Sequence, residues 1–140
     1  MSSHMIKLVS IILFLPCIFI IGSSFFQNDE LAKSIERGKE VYVSYCMSCH
    51  MEDGKGTPDI NPPLAKADYI KSPAKNLIKI ILEGQNGEIV VNKKKYNTPM
   101  LPISYLSDEQ VADVLNYVRN SWGNKIAGIV KPAQVKALRN

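Results

Sequence analysis

Two cysteines and a histidine lie within five consecutive residues, Cys46-Met47-Ser48-Cys49-His50. Because residues three apart lie on one face of a helical turn, both thiols can form thioethers with the two vinyl groups at one edge of a porphyrin. His50 follows at once and can turn beneath the same ring to bind its iron. This spacing predicts one covalently attached haem c, held by Cys46 and Cys49, with His50 as the first axial ligand.

Two other uses of paired cysteines are less consistent with the sequence. A structural zinc ion takes four ligands, and the only other cysteine and histidine, Cys17 and His4, lie in a segment that we expect to be outside the folded domain. A thioredoxin-like dithiol follows a β-strand, whereas the residues before Cys46 have helical periodicity. We therefore expect haem attachment in preference to zinc binding or thiol exchange.

The second axial ligand decides what the iron does, because a ligand on both faces favours electron transfer and an open face admits oxygen or peroxide. The other histidine and most methionines lie in the N-terminal segment or beside His50, namely His4, Met1, Met5, Met47 and Met51. Met100 remains, between Pro99 and Pro102, which stiffen its loop. A methionine more often fills core space, but in a haem domain without a rival we expect Met100 to bind the iron.

The N-terminal residues have the composition of an export signal. Ile6 to Ile21 form an apolar run with three interruptions. We expect residues 1–24 to comprise a vector-derived Met1-Ser2-Ser3-His4 and then a signal peptide or an uncleaved membrane anchor. Haem c is joined to protein on the far side of the membrane, so we expect a location in the periplasm or on the outer face of the cytoplasmic membrane.

Residues 25–140 are enough for one small domain, whose core we expect at about residues 29–124. The tail, residues 125–140, has a sequence that suits either a short helix or a loose arm. The net charge of +4 falls to +3 without Lys7, and two ionised haem propionates would bring it to about +1. This balance gives no indication of a nucleic-acid partner, and we expect a monomer.

Three stretches have helical patterns. They run from Asp29 to Tyr45, from Ser72 to Gly84 and from Ser107 to Gly123. The first has an interior glycine, Gly38, which favours close approach by another helix. The second begins with Ser72 as its expected N-cap, and the third with the capping box Ser107-x-x-Gln110. Only Glu88 to Asn92 favours an extended strand, so the sequence predicts an essentially all-α fold.

Together these elements resemble a class I, mitochondrial-type bacterial cytochrome c over essentially all of residues 25–140. The matching features are Gly38 and Tyr42 in the first helix, the Cys46 to His50 motif, Pro62-Pro63-Leu64, the Met100 loop, and Val114 and Tyr117 in the last long helix. The resemblance implies a small cytochrome c fold, with the N- and C-terminal helices crossing and haem in a crevice between loops and helices. It implies that Gly38 and Tyr42 meet Val114 and Tyr117 at the crossing, and that the Pro63 carbonyl accepts the Nδ1 hydrogen bond of His50.

The resemblance also implies an exported monohaem cytochrome that carries single electrons between periplasmic or membrane redox partners, such as a dehydrogenase, reductase or oxidase. The alternatives are a peroxidase-like haem enzyme and a haem-bearing subunit of such a complex. Contact with a membrane is expected only if the N-terminal segment is uncleaved. The run Lys93-Lys94-Lys95 is either a solvated hairpin tip or a docking patch for an acidic redox partner.

Overall fold

A computed structural model of the chain describes residues 29–139. The expected signal peptide or anchor at residues 1–24 therefore lies outside the described residues. The chain divides into two units, Met1–Ala32 and Lys33–Asn140, and the features analysed below belong to the second unit. Of the first unit, residues 29–32 are described, and they are helical. Within residues 29–139, every helix is too short or too polar to span a membrane.

Helices account for most of the regular structure, as the sequence predicts. They are α1 (residues 29–45), α2 (Met47–His50), a 3-10 turn (Tyr69–Lys71), α3 (Ala74–Glu83), α4 (Asp108–Asn120) and α5 (Pro132–Lys136). Between α3 and α4 lie two short strands, β1 (Ile89–Val91) and β2 (Lys94–Tyr96). The expected all-α fold is confirmed with one addition, a small hairpin.

The hairpin pairs β1 with β2 in antiparallel register, with Ile89 opposite Tyr96. Its two turn residues, Asn92 and Lys93, have φ values of 49° and 67°, the left-handed conformation that a tight two-residue hairpin turn requires. The sequence indicated β1 but not β2, because lysines are poor strand formers. Tyr96 at the end of β2 is buried and fastens the hairpin to the core.

The ends of the helices follow the predicted signals only in part. The capping box of α4 is present, with Gln110 N donating to Ser107 Oγ at 3.1 Å and Ser107 N donating to Gln110 Oε1 at 2.9 Å. The expected N-cap at Ser72 is wrong: α3 starts at Ala74, and Pro73 occupies the N-cap position without a side-chain cap. α4 ends at Asn120, three residues before the expected stop at Gly123.

α1 and α4 cross at Gly38. A Cβ atom at Gly38 would lie 2.0 Å from the Asp113 carbonyl oxygen and 2.9 Å from Tyr117 Cβ, so the two backbones approach too closely for any side chain. Close by, the Tyr42 and Tyr117 rings lie 5.4 Å apart. The expected meeting of Gly38 and Tyr42 with Tyr117 is confirmed, and the backbone nearest Gly38 is that of Asp113 rather than that of Val114.

A buried polar cluster accompanies this crossing. The Asp113 carboxylate accepts from Ser34 Oγ at 2.5 Å and from Arg37 Nε at 2.6 Å, and Asn116 Nδ2 donates to Ser34 Oγ at 2.8 Å. Ser34, Asp113 and Asn116 are all buried. Because a buried carboxylate is costly unless it is hydrogen-bonded, these contacts hold α1 at one register on α4.

The C-terminal tail forms a short helix, the first of the two conformations that the sequence left open. The Asn116 side chain pairs with both backbone groups of Val130, donating to its carbonyl at 2.9 Å and accepting from its amide at 2.8 Å. The Val130 and Val135 side chains are both buried. The tail therefore extends the core beyond residue 124.

We expect Gly38→Ala to destabilise the protein by about 3 kcal/mol, because the added methyl group meets backbone that cannot move aside. The measurement is denaturant unfolding of the haem-containing protein. Lys39→Ala, at the next and exposed position of α1, is the matched control and should change the free energy of unfolding by less than about 0.5 kcal/mol. A Gly38→Ala protein as stable as the control would contradict the close crossing.

Candidate functional site

The residues of the predicted attachment motif, Cys46 to His50, lie on a single helical turn that directly follows α1, here called the attachment turn. The Cys46 carbonyl accepts hydrogen bonds from the backbone amides of Cys49, at 3.2 Å, and His50, at 3.0 Å. Both cysteines are free, with Cys46 half-buried and Cys49 exposed. The turn thus presents two neighbouring thiols and an imidazole together, as the motif spacing predicted.

The environment of the Cys46 thiol does not suit a redox dithiol. Burial, followed by the nearby Cys49, raises the pKa of the Cys46 thiol to about 11. Thiol exchange needs a thiolate, and cysteines that perform it have a lowered pKa. Cys46 is therefore held as a thiol near neutral pH, which argues against the thioredoxin-like alternative.

The His50 ring is oriented by a backbone carbonyl. Its Nδ1 lies 3.1 Å from the Pro62 carbonyl oxygen. Burial lowers the pKa of His50, while the bond to the Pro62 carbonyl opposes this shift. A neutral ring that donates from Nδ1 leaves the Nε2 lone pair for a metal, which is the arrangement typical of ligating histidines.

The expected acceptor, the carbonyl of Pro63, is wrong by one residue. The peptide group between Pro63 and Leu64 is turned by the Leu64 amide, which donates to the Gly54 carbonyl at 2.8 Å. Because the described peptide bonds are all trans, the Pro63 carbonyl points away from that contact. The preceding carbonyl, that of Pro62, faces His50 instead. The proline pair is where the resemblance predicts it, but nothing within the pair indicates which of its two carbonyls faces His50.

Gly56 makes this turn of the loop possible. Its φ is +68°, and a Cβ atom there would lie 2.3 Å from the Asn61 carbonyl oxygen and 2.6 Å from that of Pro62. The Gly56 amide also donates to the His50 carbonyl at 3.0 Å. The proline segment therefore packs directly on the backbone that follows the motif, and Gly56 is a site residue that sequence reasoning missed.

Aromatic side chains hold the chain where it leaves the attachment turn. Tyr42 Oη donates to the Met51 carbonyl at 2.7 Å, and Trp122 Nε1 donates to the Glu52 carbonyl at 3.0 Å. The Tyr42 and Trp122 rings lie 5.0 Å apart. This role of Trp122 could not be predicted, because nothing in the local sequence indicates a backbone partner 70 positions away.

Met100 lies in the irregular segment between β2 and α4, residues 97–107, which is called the Met100 loop below. This loop contacts the end of α3. Its backbone pairs with that of Gln85 through two hydrogen bonds of 2.9 Å, and the Ile103 amide donates to the Ile81 carbonyl at 2.7 Å. The Met100 side chain is half-buried and packs against the core. These contacts support the loop from the α3 side.

The donor set suits a haem better than a bare metal ion. Within residues 29–139, no three His, Cys, Asp or Glu side chains are grouped closely enough to hold a metal ion, so a four-ligand zinc site is not found there. His4 and Cys17 lie outside the described residues. The described site instead combines two adjacent thiols with an imidazole whose Nε2 is left for iron, and this fits a covalently bound haem.

Comparison with known proteins agrees with this geometry. The Cytochrome c family profile matches residues 35–122. A cytochrome c-552 of Thermus thermophilus is 36% identical over 118 residues, which cover 78% of this chain and 78% of the relative. The chain belongs to the cytochrome c family. Its haem c is the covalently attached cofactor of that family, and its role is electron transfer.

Two further relatives are parts of larger proteins. The cytochrome c subunit of the quinone alcohol dehydrogenase of Gluconacetobacter polyoxogenes is 36% identical over 107 residues, 74% of this chain and 22% of the relative. The cytochrome c subunit of gluconate 2-dehydrogenase of Pantoea cypripedii is 32% identical over 123 residues, 82% of this chain and 28% of the relative. The chain therefore corresponds to less than a third of each subunit.

We expect Gly56→Ala to raise the reduction potential, because the added methyl group displaces the Pro62 carbonyl and weakens the His50 Nδ1 hydrogen bond that makes the ring a stronger donor. Strain and overpacking should also lower the free energy of unfolding by about 2 kcal/mol. Redox titration with visible spectra measures the first effect and denaturant unfolding the second.

Gly87→Ala is the matched control for this change. Gly87 also has a positive φ, +85°, but its Cβ would meet nothing within 4 Å. It therefore carries the backbone strain without the displacement of a carbonyl. An equal potential in the two variants would show that the Pro62 carbonyl does not tune the site.

Proposed function

We propose that Cys46 and Cys49 hold one haem c through thioethers and that His50 Nε2 binds its iron. The contact between His50 Nδ1 and the Pro62 carbonyl carries this proposal, since it orients the ring and reserves Nε2. Bound haem supplies one-electron redox chemistry. The protein positions it and limits access to it.

We further propose that Met100 is the second axial ligand. Of the described methionines, Met47 and Met51 flank His50 and are tied to its side of the ring. Met100 lies on a different loop from His50, and its backbone pairs with that of Gln85. This pairing keeps the thioether near one position, so that binding to the iron costs little conformational entropy. A thioether opposite an imidazole raises the potential and closes both faces, so the chain is an electron carrier and not a peroxidase-like enzyme.

The proposed location is the periplasm or the outer face of the cytoplasmic membrane. The apolar run from Ile6 to Ile21 supports export, and thioether attachment of haem outside the cytoplasm requires it. A cleaved signal peptide and an uncleaved anchor both leave the haem domain on the same side.

The proposed partners are redox proteins that exchange single electrons with a monomeric domain. The similarity to cytochrome c subunits of dehydrogenases favours a second candidate, a haem-bearing subunit of a dehydrogenase complex. The two candidates share the same haem site. They differ in whether the chain purifies alone or at fixed stoichiometry with a larger protein.

The run from Lys93 to Lys95 in the hairpin is the proposed docking patch for an acidic redox partner. Lys94 Nζ lies 2.6 Å from Asp59 Oδ1, and Lys95 Nζ lies 2.9 Å from Glu88 Oε1, so two of the three lysines already face acidic groups of this chain. Lys93 occupies the exposed turn. We therefore propose that Lys93 makes the main contribution of this run to attracting an acidic partner.

Met100→Ala tests the ligand assignment. We expect the haem to stay attached, the far-red iron–sulfur absorption band to disappear, the potential to fall and carbon monoxide to bind the reduced protein promptly. Met51→Ala, the same substitution beside His50, should leave all four unchanged. A far-red band that persists in Met100→Ala would contradict the ligand assignment. Prompt carbon monoxide binding by the unmodified protein would contradict a closed carrier. Haem that the unmodified protein loses on a denaturing gel would contradict attachment through Cys46 and Cys49.

Lys93→Glu tests the docking proposal. We expect oxidation of the reduced protein by ferricyanide, an anionic probe, to slow about threefold at low ionic strength and to recover as salt screens the charge. Stopped-flow absorbance gives the rate. Lys136→Glu makes the same charge change in α5 and should have the smaller effect. Equal slowing in both variants would show that only net charge matters.

A further inference from the structure

The last described residue of the tail, Arg139, is bound to the backbone that follows Met100 and leads into α4. Its guanidinium uses three nitrogens: Nε donates to Asp108 Oδ1 at 2.5 Å, Nη1 donates to the Ser104 carbonyl at 2.8 Å, and Nη2 donates to the Leu106 carbonyl. The Arg139 and Asp108 side chains are 30% and 28% exposed, so solvent screens this ion pair only in part. One side chain therefore fastens a whole turn of irregular backbone.

That backbone is the downstream half of the loop that carries Met100. Upstream, the loop is fixed by the pairing of Met100 with Gln85 and by the bond from the Ile103 amide to Ile81. Beyond Ile103 there is no regular structure until α4 begins at Asp108. The three Arg139 contacts lie within residues 104–108 and thus cover the part of the loop that the α3 contacts leave open.

An aromatic contact at the surface also involves this segment. The Tyr105 ring lies 5.9 Å from the Tyr45 ring in an edge-on arrangement, and Tyr45 directly precedes Cys46. The carbonyls on either side of Tyr105, those of Ser104 and Leu106, are the ones that Arg139 binds. Arg139 thereby holds the backbone in the conformation that presents Tyr105 to the attachment side.

The tail is itself held to the core by buried side chains and hydrogen bonds. Val135 in α5 is fully buried, and Val130 is held by both hydrogen bonds from Asn116. Arg119 adds contacts to the Ala127 and Gly128 carbonyls, at 3.0 and 3.3 Å. The region matched by the family profile ends at residue 122, so this support lies outside it.

We propose that Arg139 is a positioning residue for the second axial ligand: by binding the Ser104 and Leu106 carbonyls and the Asp108 carboxylate, it holds the Met100 loop closed over the iron. This inference rests on the proposed ligation by Met100. Loss of the guanidinium leaves the Leu106 carbonyl, which belongs to a buried residue, without its donor. The loop then opens more often, while haem attachment and the α1–α4 crossing are untouched.

Competition by imidazole for the ferric iron of the haem-containing protein tests the proposal. Because an external ligand binds only when the loop is open, its apparent affinity reports the open fraction. We expect Arg139→Ala to raise the imidazole affinity about tenfold, as loss of one charge-assisted network should. Arg139→Lys, which retains the charge but not the three-pronged donor, should give an intermediate value. Lys136→Ala, an exposed change at the last residue of α5, should match the unmodified protein.

Val114→Ala separates loop opening from general destabilisation. It removes buried volume from α4 and should lower the free energy of unfolding without releasing the loop. An Arg139→Ala protein that binds imidazole no more tightly than Val114→Ala, or than the unmodified protein, would overturn the positioning role. Failure of the underlying ligand assignment has a different signature, since the unmodified protein would then lack the far-red band altogether.

Discussion

The close crossing of α1 over α4 is the contact on which the rest of the domain depends. With no side chain at Gly38, the backbone of α1 approaches the Asp113 carbonyl so closely that a Cβ atom would lie 2.0 Å from it. Such an approach leaves no room for water, so the polar groups at the crossing must satisfy one another. The Asp113 carboxylate is bonded to Ser34 and Arg37 for this reason. Removing Arg37 would leave the buried Asp113 carboxylate without its opposite charge, and the register of the two helices is therefore set by hydrogen bonds as well as by packing.

The crossing also determines the geometry of the haem site. It brings Tyr42 of α1 against Tyr117 and Trp122, whose rings lie between 5.0 and 5.4 Å from one another. The hydroxyl of Tyr42 and the indole nitrogen of Trp122 then bind the first two carbonyls after His50. Because those carbonyls are fixed, the loop that returns toward His50 has little freedom, and its Pro62 carbonyl meets the imidazole. The orientation of the His50 ring is thus a consequence of helix packing.

The features that the sequence could predict are those that depend on local pattern. The motif from Cys46 to His50, the capping box at Ser107 and the interior glycine at Gly38 each carry their physical reason within a few residues. The choice of Pro63 was wrong, because the direction of its carbonyl depends on the hydrogen bond from the Leu64 amide to Gly54, which the proline pair itself does not indicate. The strand β2 was missed because its lysines disfavour strands, whereas in the structure it pairs with β1 and ends at the buried Tyr96. The partners of Arg139 are more than thirty positions away in sequence, and no periodicity connects them.

The two faces of the proposed iron site are held by contacts of different kinds. On the His50 side, the proposed ligand lies in a helical turn beside two thiols, and the chain after it is anchored by Tyr42 of α1 and by Trp122, just beyond α4. On the Met100 side, the loop itself is irregular, and its support is a backbone bridge to Gln85, one bond to Ile81 in α3 and the Arg139 contacts. A thioether is a weak ligand, so its occupancy follows the free energy of opening this loop and not that of unfolding the whole domain. Residues far from the iron can therefore change the second ligand without affecting the attachment of the haem. If Arg139 positions the loop as proposed, the family-matched region provides the site and the tail beyond it sets how tightly the distal face is closed.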